Sequence, residues 1–326
     1  MDAALIESLL QERTPQLPEE GWQQQLMELA KGEVRLDEPL KKHTTIQIGG
    51  PADAFVYPAD LEDLRQILAF AHEKHVPWMI LGWGSNVLVK DGGIRGIVLR
   101  LQKTFTRFEI LEETEASVSL EVEAGVPLPK VVETGRQNGW KGVETLYGIP
   151  GSVGGTLKMN AGTRAGDIQA FVEEVTVLRP DGSLHRYPRK KIKFEYRCSN
   201  LPSKEIIVSG KFRFEKGDPT EVQAAVAKYQ KKRHDSQPLE FPNVGSIFKN
   251  PEKGHAAQLI DELGLKGVRV GGARISEKHG NFIVNEGQAT ARDVLVLIGL
   301  IRDKVKEELD LKLELEVKVI GEDEHL

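Results

Sequence analysis

Cysteine is almost missing from this chain. Cys198 is the one thiol in 326 residues, which excludes an intrachain disulfide framework and fits a reducing compartment, the cytoplasm. Long apolar runs are missing too. None approaches the roughly 20 residues a helix needs to span a bilayer, so no membrane partner is expected. Positive charge is not in excess: at a net charge of −5 no global basic field favours nucleic acid. Asp2 and Glu7 stand where an export signal carries basic residues, so export is not expected. There is no repeat at a fixed period, and no metal is expected.

What is present is a globular composition, 40% apolar and 29% charged, at a length suited to two or three domains. Glycine is concentrated in two places. In the stretch from Gly142 to Gly166, Gly148, Gly151, Gly154, Gly155 and Gly162 stand among small and apolar residues, with Pro150 lodged between them. Glycine lets the backbone approach a ligand closely, a run of such residues can turn successive N–H groups toward one anion, and proline fixes one φ, so the loop is shaped. A tight structural turn is the equal alternative for one such loop. The second place is Gly82-Trp83-Gly84-Ser85-Asn86, directly after the apolar strand expected at Trp78–Leu81. Two glycine loops, each with Ser or Asn, suggest two sides of one pyrophosphate. Neither matches the Rossmann or P-loop fingerprints.

In chain order, 1–33 is expected to be an extension of two short helices, from Leu5, Leu9 and Leu10, then Leu26 and Leu29 at helical spacing. A small α/β unit follows over 34–101, with strands at Thr44–Gly50 and Ala54–Tyr57, a helix capped by Asp60, and strands at 87–89 and 94–101. A second α/β unit over 102–218 surrounds the long glycine loop. It has strands at 117–122, 172–178 and 206–214 and a helix at 129–138 stopped by Gly139. The third unit, 219–322, is expected to be α+β. Its helices run over 222–234, 256–263 and 291–309, the last with a capping box from Thr290 and Asp293. Its short strands fall at 242–251 and 313–319, where Leu313, Leu315, Val317 and Val319 alternate with Glu314, Glu316 and Lys318.

The set KKHTTIQIGGPAD, LGWGSNVLVKDGGIRG, GIPGSVGG with MNAG, FEYRCS, NVGSIFKNP and EVKVIGE, in this order, resembles the MurB family of UDP-N-acetylenolpyruvoylglucosamine reductases. The likeness covers Leu36 to Glu322, without the insertion that longer members carry in the third unit. It implies a mixed α/β, α+β chain: a two-lobed FAD-binding fold of the vanillyl-alcohol-oxidase type plus a C-terminal α+β substrate domain. It also implies non-covalent FAD, NADPH as co-substrate and a UDP-sugar substrate, with oligomeric state open. The cofactor contacts it implies are Ile48, Gly82, Trp83, Gly84, Ser85, Asn86, Gly148, Ile149, Pro150, Gly151, Ser152, Gly154, Gly155, Asn160, Ala161 and Gly162.

The reaction so implied adds hydride to a vinyl carbon, leaving negative charge on the neighbouring carbon and its carboxylate. Arg197 suits that charge, because a guanidinium stays ionised and meets a carboxylate through a planar fork. Ser246 suits the proton that the carbon then needs. Glu316 is the third position implied by resemblance, polarising the intermediate or relaying a proton to Ser246; Glu314 shares its face. Tyr196, Lys249 and Asn250 are expected to bind substrate, with Lys266, Arg233 and Gln258 as further candidates for the diphosphate. Two other readings stay open: a flavin oxidase of the same superfamily, and a non-catalytic nucleotide-binding regulator, which would not need Arg197, Ser246 and Glu316 together.

Overall fold

The computed structural model describes residues 20–163, 165–252 and 254–324. The first of the two expected N-terminal helices lies outside them. The second is Trp22–Leu29. Trp22 and Leu26, four residues apart, fall on one face and are buried in the main apolar core. Lys31 and Gly32 follow, and their N–H groups donate to the buried carboxylate of Asp63 at 2.9 Å each, with Ala59 N as a third donor at 2.8 Å. The C-terminal part of the extension is therefore built into the first unit.

Among the described residues, that unit carries a four-stranded sheet in the order Glu33–Pro39, Pro51–Tyr57, Ile94–Leu99, Trp78–Ile80. The first pair is antiparallel and the other two are parallel. The inner strands are apolar runs rather than alternations, as strands covered on both faces must be: Ala54, Phe55 and Val56 are buried, as are Ile97, Val98 and Leu99. Helix Leu61–Glu73 starts where Asp60 accepts from Asp63 N at 2.7 Å and lays Leu64, Ile67 and Ala71 on the sheet.

The second unit is a five-stranded antiparallel sheet, in the order Leu184–Pro188, Val172–Leu178, Ile206–Glu215, Ser117–Glu123, Phe108–Glu113. Helix Leu128–Asn138 ends at Gly139, held at φ +69°. One apolar cluster joins the two sheets, with Val56, Leu64 and Ile97 packed in the same core as Leu120, Val175 and Phe212.

The third unit packs helices Ala256–Glu262 and Ala291–Leu309 with a small sheet of Arg269–Val270, Ala273–Ile275 and Ile283–Asn285, whereas helix Pro219–Ser236, expected in this unit, lies against helix Leu128–Asn138 and the turn Val143–Leu146 of the second, with Val222 in the main core. The capping box on Thr290 and Asp293 is formed. The first unit grips this one at three points. Ile46, Ile48 and Leu88 join its core, Val87–Val89 pairs in parallel with Lys318–Ile320, and the Asp91 carboxylate accepts from Ala291 N and Arg292 N at 2.8 and 3.0 Å.

Four segments differ from expectation. Thr44–Gly50 is a turn, not a strand: Thr44 Oγ1 donates to Ile48 O at 2.8 Å and Gln47 sits at φ +58°, so a side chain takes the bond a ladder would make. Residues 242–251 make only the isolated bridges Asn243–Val284 and Phe248–Leu315, because Gly245 at φ +77° breaks the extended run. In 313–319 the burial alternation holds, with Leu313 and Val317 inside and Glu314 outside, but a ladder forms only at Lys318–Ile320. The long glycine segment contains a short helix, Val153–Met159, closed by Asn160 at φ +43°.

Candidate active site

The two glycine loops touch. Ser85 Oγ donates to Pro150 O at 2.8 Å, and Ser152 Oγ lies 3.1 Å from where a Cβ on Gly82 would stand. Gly84 is held at φ +66° with its Cβ position 2.2 Å from His43 O, so only glycine fits there. Thr45 holds the same turn: its N–H donates to Gly84 O at 3.0 Å and its hydroxyl to Asn243 O at 2.6 Å.

Backbone donors remain over. Among the described residues, the N–H groups of Gly82, Trp83, Gly84, Ser85 and Asn86 find no protein acceptor, nor do those of Gly148, Gly151, Ser152 and Gly155. Backbone amides left without partners are costly unless water or a ligand takes them, and two touching loops of them form a surface for a diphosphate. The residues present thus fit a dinucleotide cofactor. In the first turn of the short helix only Gly155 N is left over, because Val153 N and Gly154 N donate to Val126 O and Ala124 O at 2.9 Å each.

Several expected side-chain contacts are committed elsewhere. Ile48 is buried in the core of the third unit. Asn86 Nδ2 donates to Glu316 O at 3.2 Å, tying the loop to the C-terminal segment. Asn160 is buried, donating from Nδ2 to Glu195 O at 3.0 Å and to Asp167 Oδ2 at 3.2 Å, while its Oδ1 accepts from Gln169 N at 3.3 Å. Its amide is thereby used to hold the hairpin that presents Arg197. The Ser85 hydroxyl proton is likewise engaged with Pro150. Gly162 pairs with Asp167 in a two-residue ladder, and Ala161 N donates to Thr156 O.

Tyr196 and Arg197 are the turn of a hairpin between Phe194–Glu195 and Cys198–Ser199. Arg197 sits at φ +58°, an uncommon conformation for a residue with a Cβ and of the kind that clusters at functional sites. Its Nε donates to Glu316 Oε1 at 2.6 Å, across 119 positions of sequence, with 19% and 12% of the two side chains exposed. The guanidinium lies 4.9 Å over the Tyr196 ring. Its Nη groups meet no acceptor among the described residues. Glu314, on the same face as Glu316, is told apart by its partner: Lys249 Nζ binds it at 2.6 Å at the surface, and that hydrogen bond lowers its pKa.

Ser246 lies on the segment that runs against Glu316. Ile247 O accepts from Glu316 N at 2.9 Å, and Lys249 N donates to Glu314 O at 2.8 Å. The serine is half-buried and its hydroxyl has no hydrogen-bond partner among the described residues. Asn281 clamps the segment, accepting from Phe248 N at 2.9 Å and donating to Phe248 O at 2.8 Å. Asn281 and Thr45 were not singled out from sequence. Each is one polar residue in an ordinary setting, and only the fold shows which backbone it holds. Of the other candidates, Asn250 Oδ1 accepts from Ala256 N at 3.1 Å, and Lys266 and Gln258 pair with Asp261 and Glu262 on their own segments. Arg233 is placed apart from these, against Gly148.

Unfilled backbone donors and, on the segment tied to them, a guanidinium with free N–H groups describe a class: a protein that holds a phosphate-bearing cofactor and takes an anionic substrate. Comparison with known proteins gives the family. Residues 52–187 match the family described as FAD binding domain, and residues 237–320 match the UDP-N-acetylenolpyruvoylglucosamine reductase C-terminal domain. The UDP-N-acetylenolpyruvoylglucosamine reductase of Geobacter metallireducens is 44% identical over 295 residues, covering 90% of this chain and 96% of its own. That of Syntrophus aciditrophicus is 41% identical over 311 residues, covering 95% and 99%. The crystal structure of the Thermus caldophilus enzyme superposes with a TM-score of 0.76 at 39% identity, covering 89% of this chain and 98% of that one. The chain belongs to the UDP-N-acetylenolpyruvoylglucosamine reductase family, with an FAD-binding domain and that family's C-terminal domain.

Proposed function

We infer that this chain reduces the enolpyruvyl ether of UDP-N-acetylglucosamine to UDP-N-acetylmuramate, a step of peptidoglycan precursor synthesis, using FAD and NADPH. The observation that carries the residue assignments is the Arg197–Glu316 pair at 2.6 Å, set beside the Ser246 segment and tied through Asn86 to the amide-rich loop. FAD, when bound and reduced by NADPH, supplies hydride for the vinyl CH2 carbon of the substrate. Units 34–101 and 102–218 hold this cofactor on the free amides of their two loops, and 219–322 brings the substrate.

The protein's own groups then manage charge and proton. The Nη groups of Arg197 meet the enolpyruvyl carboxylate through their planar fork, and the fixed cation stabilises the negative charge that develops beside it. Glu316 fixes the orientation of that fork. Ser246 Oγ gives its proton to the carbon next to the carboxylate: an O–H bond breaks, a C–H bond forms, and a proton taken from water is relayed through Glu316 back to the serine oxygen. Tyr196 covers the guanidinium. Asn250 keeps its Nδ2 for the UDP diphosphate, and Lys249 reaches it by leaving Glu314. No helix of the described residues is long and apolar enough to cross a membrane, and a lone thiol with an NADPH-linked reaction supports the cytoplasm as the compartment.

The purified protein is expected to be yellow, to release its pigment into acid, and to turn over NADPH beyond one equivalent per flavin only when the enolpyruvyl substrate is present. A colourless preparation that gains no flavin absorbance on adding FAD would overturn the reading. Turnover driven by oxygen in place of substrate would favour the oxidase.

A further inference from the structure

The hairpin that presents Arg197 is too short to hold itself. Two residue pairs make its ladder, Phe194 with Ser199 and Glu195 with Cys198, and an isolated two-stranded hairpin is marginal in water even when longer. It nonetheless carries Arg197 at φ +58°, a conformation that persists only where the surroundings over-determine it. The C-terminal arm is tied by Ser199 Oγ, which donates to Lys158 O at 2.8 Å. The N-terminal arm leads to Arg189. This arginine is half-buried, whereas its neighbours Lys190 and Lys191 are exposed. Its Nη1 donates to Ile192 O at 2.9 Å, its Nη2 to Gln169 Oε1 at 3.0 Å and its Nε to Gln169 O at 3.4 Å. The guanidinium lies 5.0 Å from the centre of the Phe194 ring. It meets no carboxylate among the described residues; an amide stands between it and one. Gln169 turns Oε1 to Arg189 and donates from Nε2 to Asp167 Oδ2 at 3.1 Å. The same Asp167 oxygen accepts from Asn160 Nδ2 at 3.2 Å, and Asn160 Nδ2 also donates to Glu195 O at 3.0 Å.

We propose that Arg189 is a positioning residue for Arg197. It ties the turn Ile168–Ala170 to the first arm of the hairpin, directly over the Phe194 ring and indirectly through Gln169, Asp167 and Asn160 to Glu195 O. Each link has a donor facing an acceptor, so the orientation of one sets the next. The cation holds the oxygen end of the Gln169 amide and the carboxylate holds its nitrogen end. A carboxylate only accepts, so Asp167 also fixes which end of Asn160 faces it and Glu195 O. Reversing the Asn160 amide would set its oxygen against two acceptors. Glu195 stands two residues before Arg197, and this chain therefore fixes the backbone from which the Arg197 fork reaches the substrate carboxylate. A lysine at 189 would bring a point charge without the planar fork that spans residues 169 and 192. The inference rests on the reductase reading above and assigns a residue to it.

The test uses the FAD-loaded full chain with Arg189→Gln, alone and combined with Arg197→Lys, and with Arg189→Lys and Gln169→Leu. Arg189 touches neither glycine loop, so flavin content and the rate of flavin reduction by NADPH should stay at wild-type values in Arg189→Gln. Re-oxidation by the enolpyruvyl substrate should slow roughly 10- to 100-fold, the cost of a misplaced substrate clamp, and Arg189→Lys should recover part of it. On top of Arg197→Lys the Arg189→Gln change should add little, because the fork it positions is already gone. Amide hydrogen exchange over 194–199 should be faster in Arg189→Gln than in wild type. Wild-type re-oxidation in a folded Arg189→Gln would overturn the proposal. So would equal slowing of both half-reactions, or losses that add in full with Arg197→Lys. If Arg189→Gln fails to fold, wild-type re-oxidation in Gln169→Leu would do the same. A wild type that the enolpyruvyl substrate does not re-oxidise would sink the reductase reading; unchanged exchange over 194–199 would still overturn the positioning role by itself.

Discussion

Ser246→Ala removes one hydroxyl from a segment that others hold in place. Asn281 fixes Phe248 through two hydrogen bonds, and Ile247 O keeps its bond to Glu316 N. The Ser246 hydroxyl has no partner among the described residues, so its loss strands no buried donor or acceptor. The stability change should stay within ~0.5 kcal/mol, and any large defect is then chemical. A positioned acid is worth ~10² to 10⁴ in rate, roughly 3 to 5 kcal/mol of barrier.

The defect should fall on one half of the reaction. Reduction by NADPH needs no proton from Ser246 and should keep its wild-type rate, while re-oxidation by the enolpyruvyl substrate should slow by the factor above. Ser246→Cys should recover part of it, since a thiol also donates a proton but is larger. Stopped-flow flavin absorbance follows the two halves separately. Equal slowing of both would mean that Ser246 supports the site's structure. Wild-type re-oxidation in the alanine variant would remove it from the mechanism.

Two glycines should differ in melting temperature while both lose flavin. Gly84→Ala puts a Cβ 2.2 Å from His43 O at φ +66°, a strain of about 1–3 kcal/mol or more, so melting temperature and flavin content should fall together. Gly155 is exposed and a Cβ there has room, 3.5 Å from Ser152 Oγ, so Gly155→Ala should keep its melting temperature and lose flavin; full flavin in that variant would take Gly155 off the cofactor surface. The third concerns pH. Burial holds His43 below its ordinary pKa despite the Glu38 hydrogen bond, with Arg100 and Arg35 also opposing a second charge. As pH falls through about 6.5 the unfolded chain takes up a proton that native His43 refuses. Its contribution is therefore present above that pH and lost below it, down to the lowered native value. Denaturant midpoints across that range should show this slope, His43→Gln should flatten it, and an unchanged slope in the variant would place the proton elsewhere.

The glycine loops were legible because their chemistry is local. Gly82–Asn86 and Gly148–Gly155 carry backbone donors, and a backbone donor needs only a turn to expose it. The helices at 61–73, 128–138 and 291–309 were legible for the same reason, since Asp60, Gly139 and Thr290 act within one turn of where they stand. Strands fared worse wherever a side chain competed with the ladder. Thr44 bonds Ile48 and Asn243 bonds Gly245 N, and no alternation of apolar residues announces either bond. The bonds that the Asn86 and Asn160 side chains make to the protein were likewise not legible, because a polar residue in a glycine loop is as able to bond the protein as a ligand.

What the chain order hides most is the contact between units. Glu314 and Glu316 are indistinguishable on one strand face, and the choice between them is made by what arrives from elsewhere. Lys249 comes from the adjacent segment and takes the exposed Glu314, whereas Arg197, 119 positions away, takes the enclosed Glu316. That second pairing requires the hairpin, which Asn160 holds from below, and the C-terminal segment, which Asn86 holds from the glycine loop. Through their side chains Asn86 and Asn160 thus bring glycine loop, guanidinium and carboxylate to the same place. Replacing either asparagine would disturb Arg197 and Glu316 without touching any reacting atom.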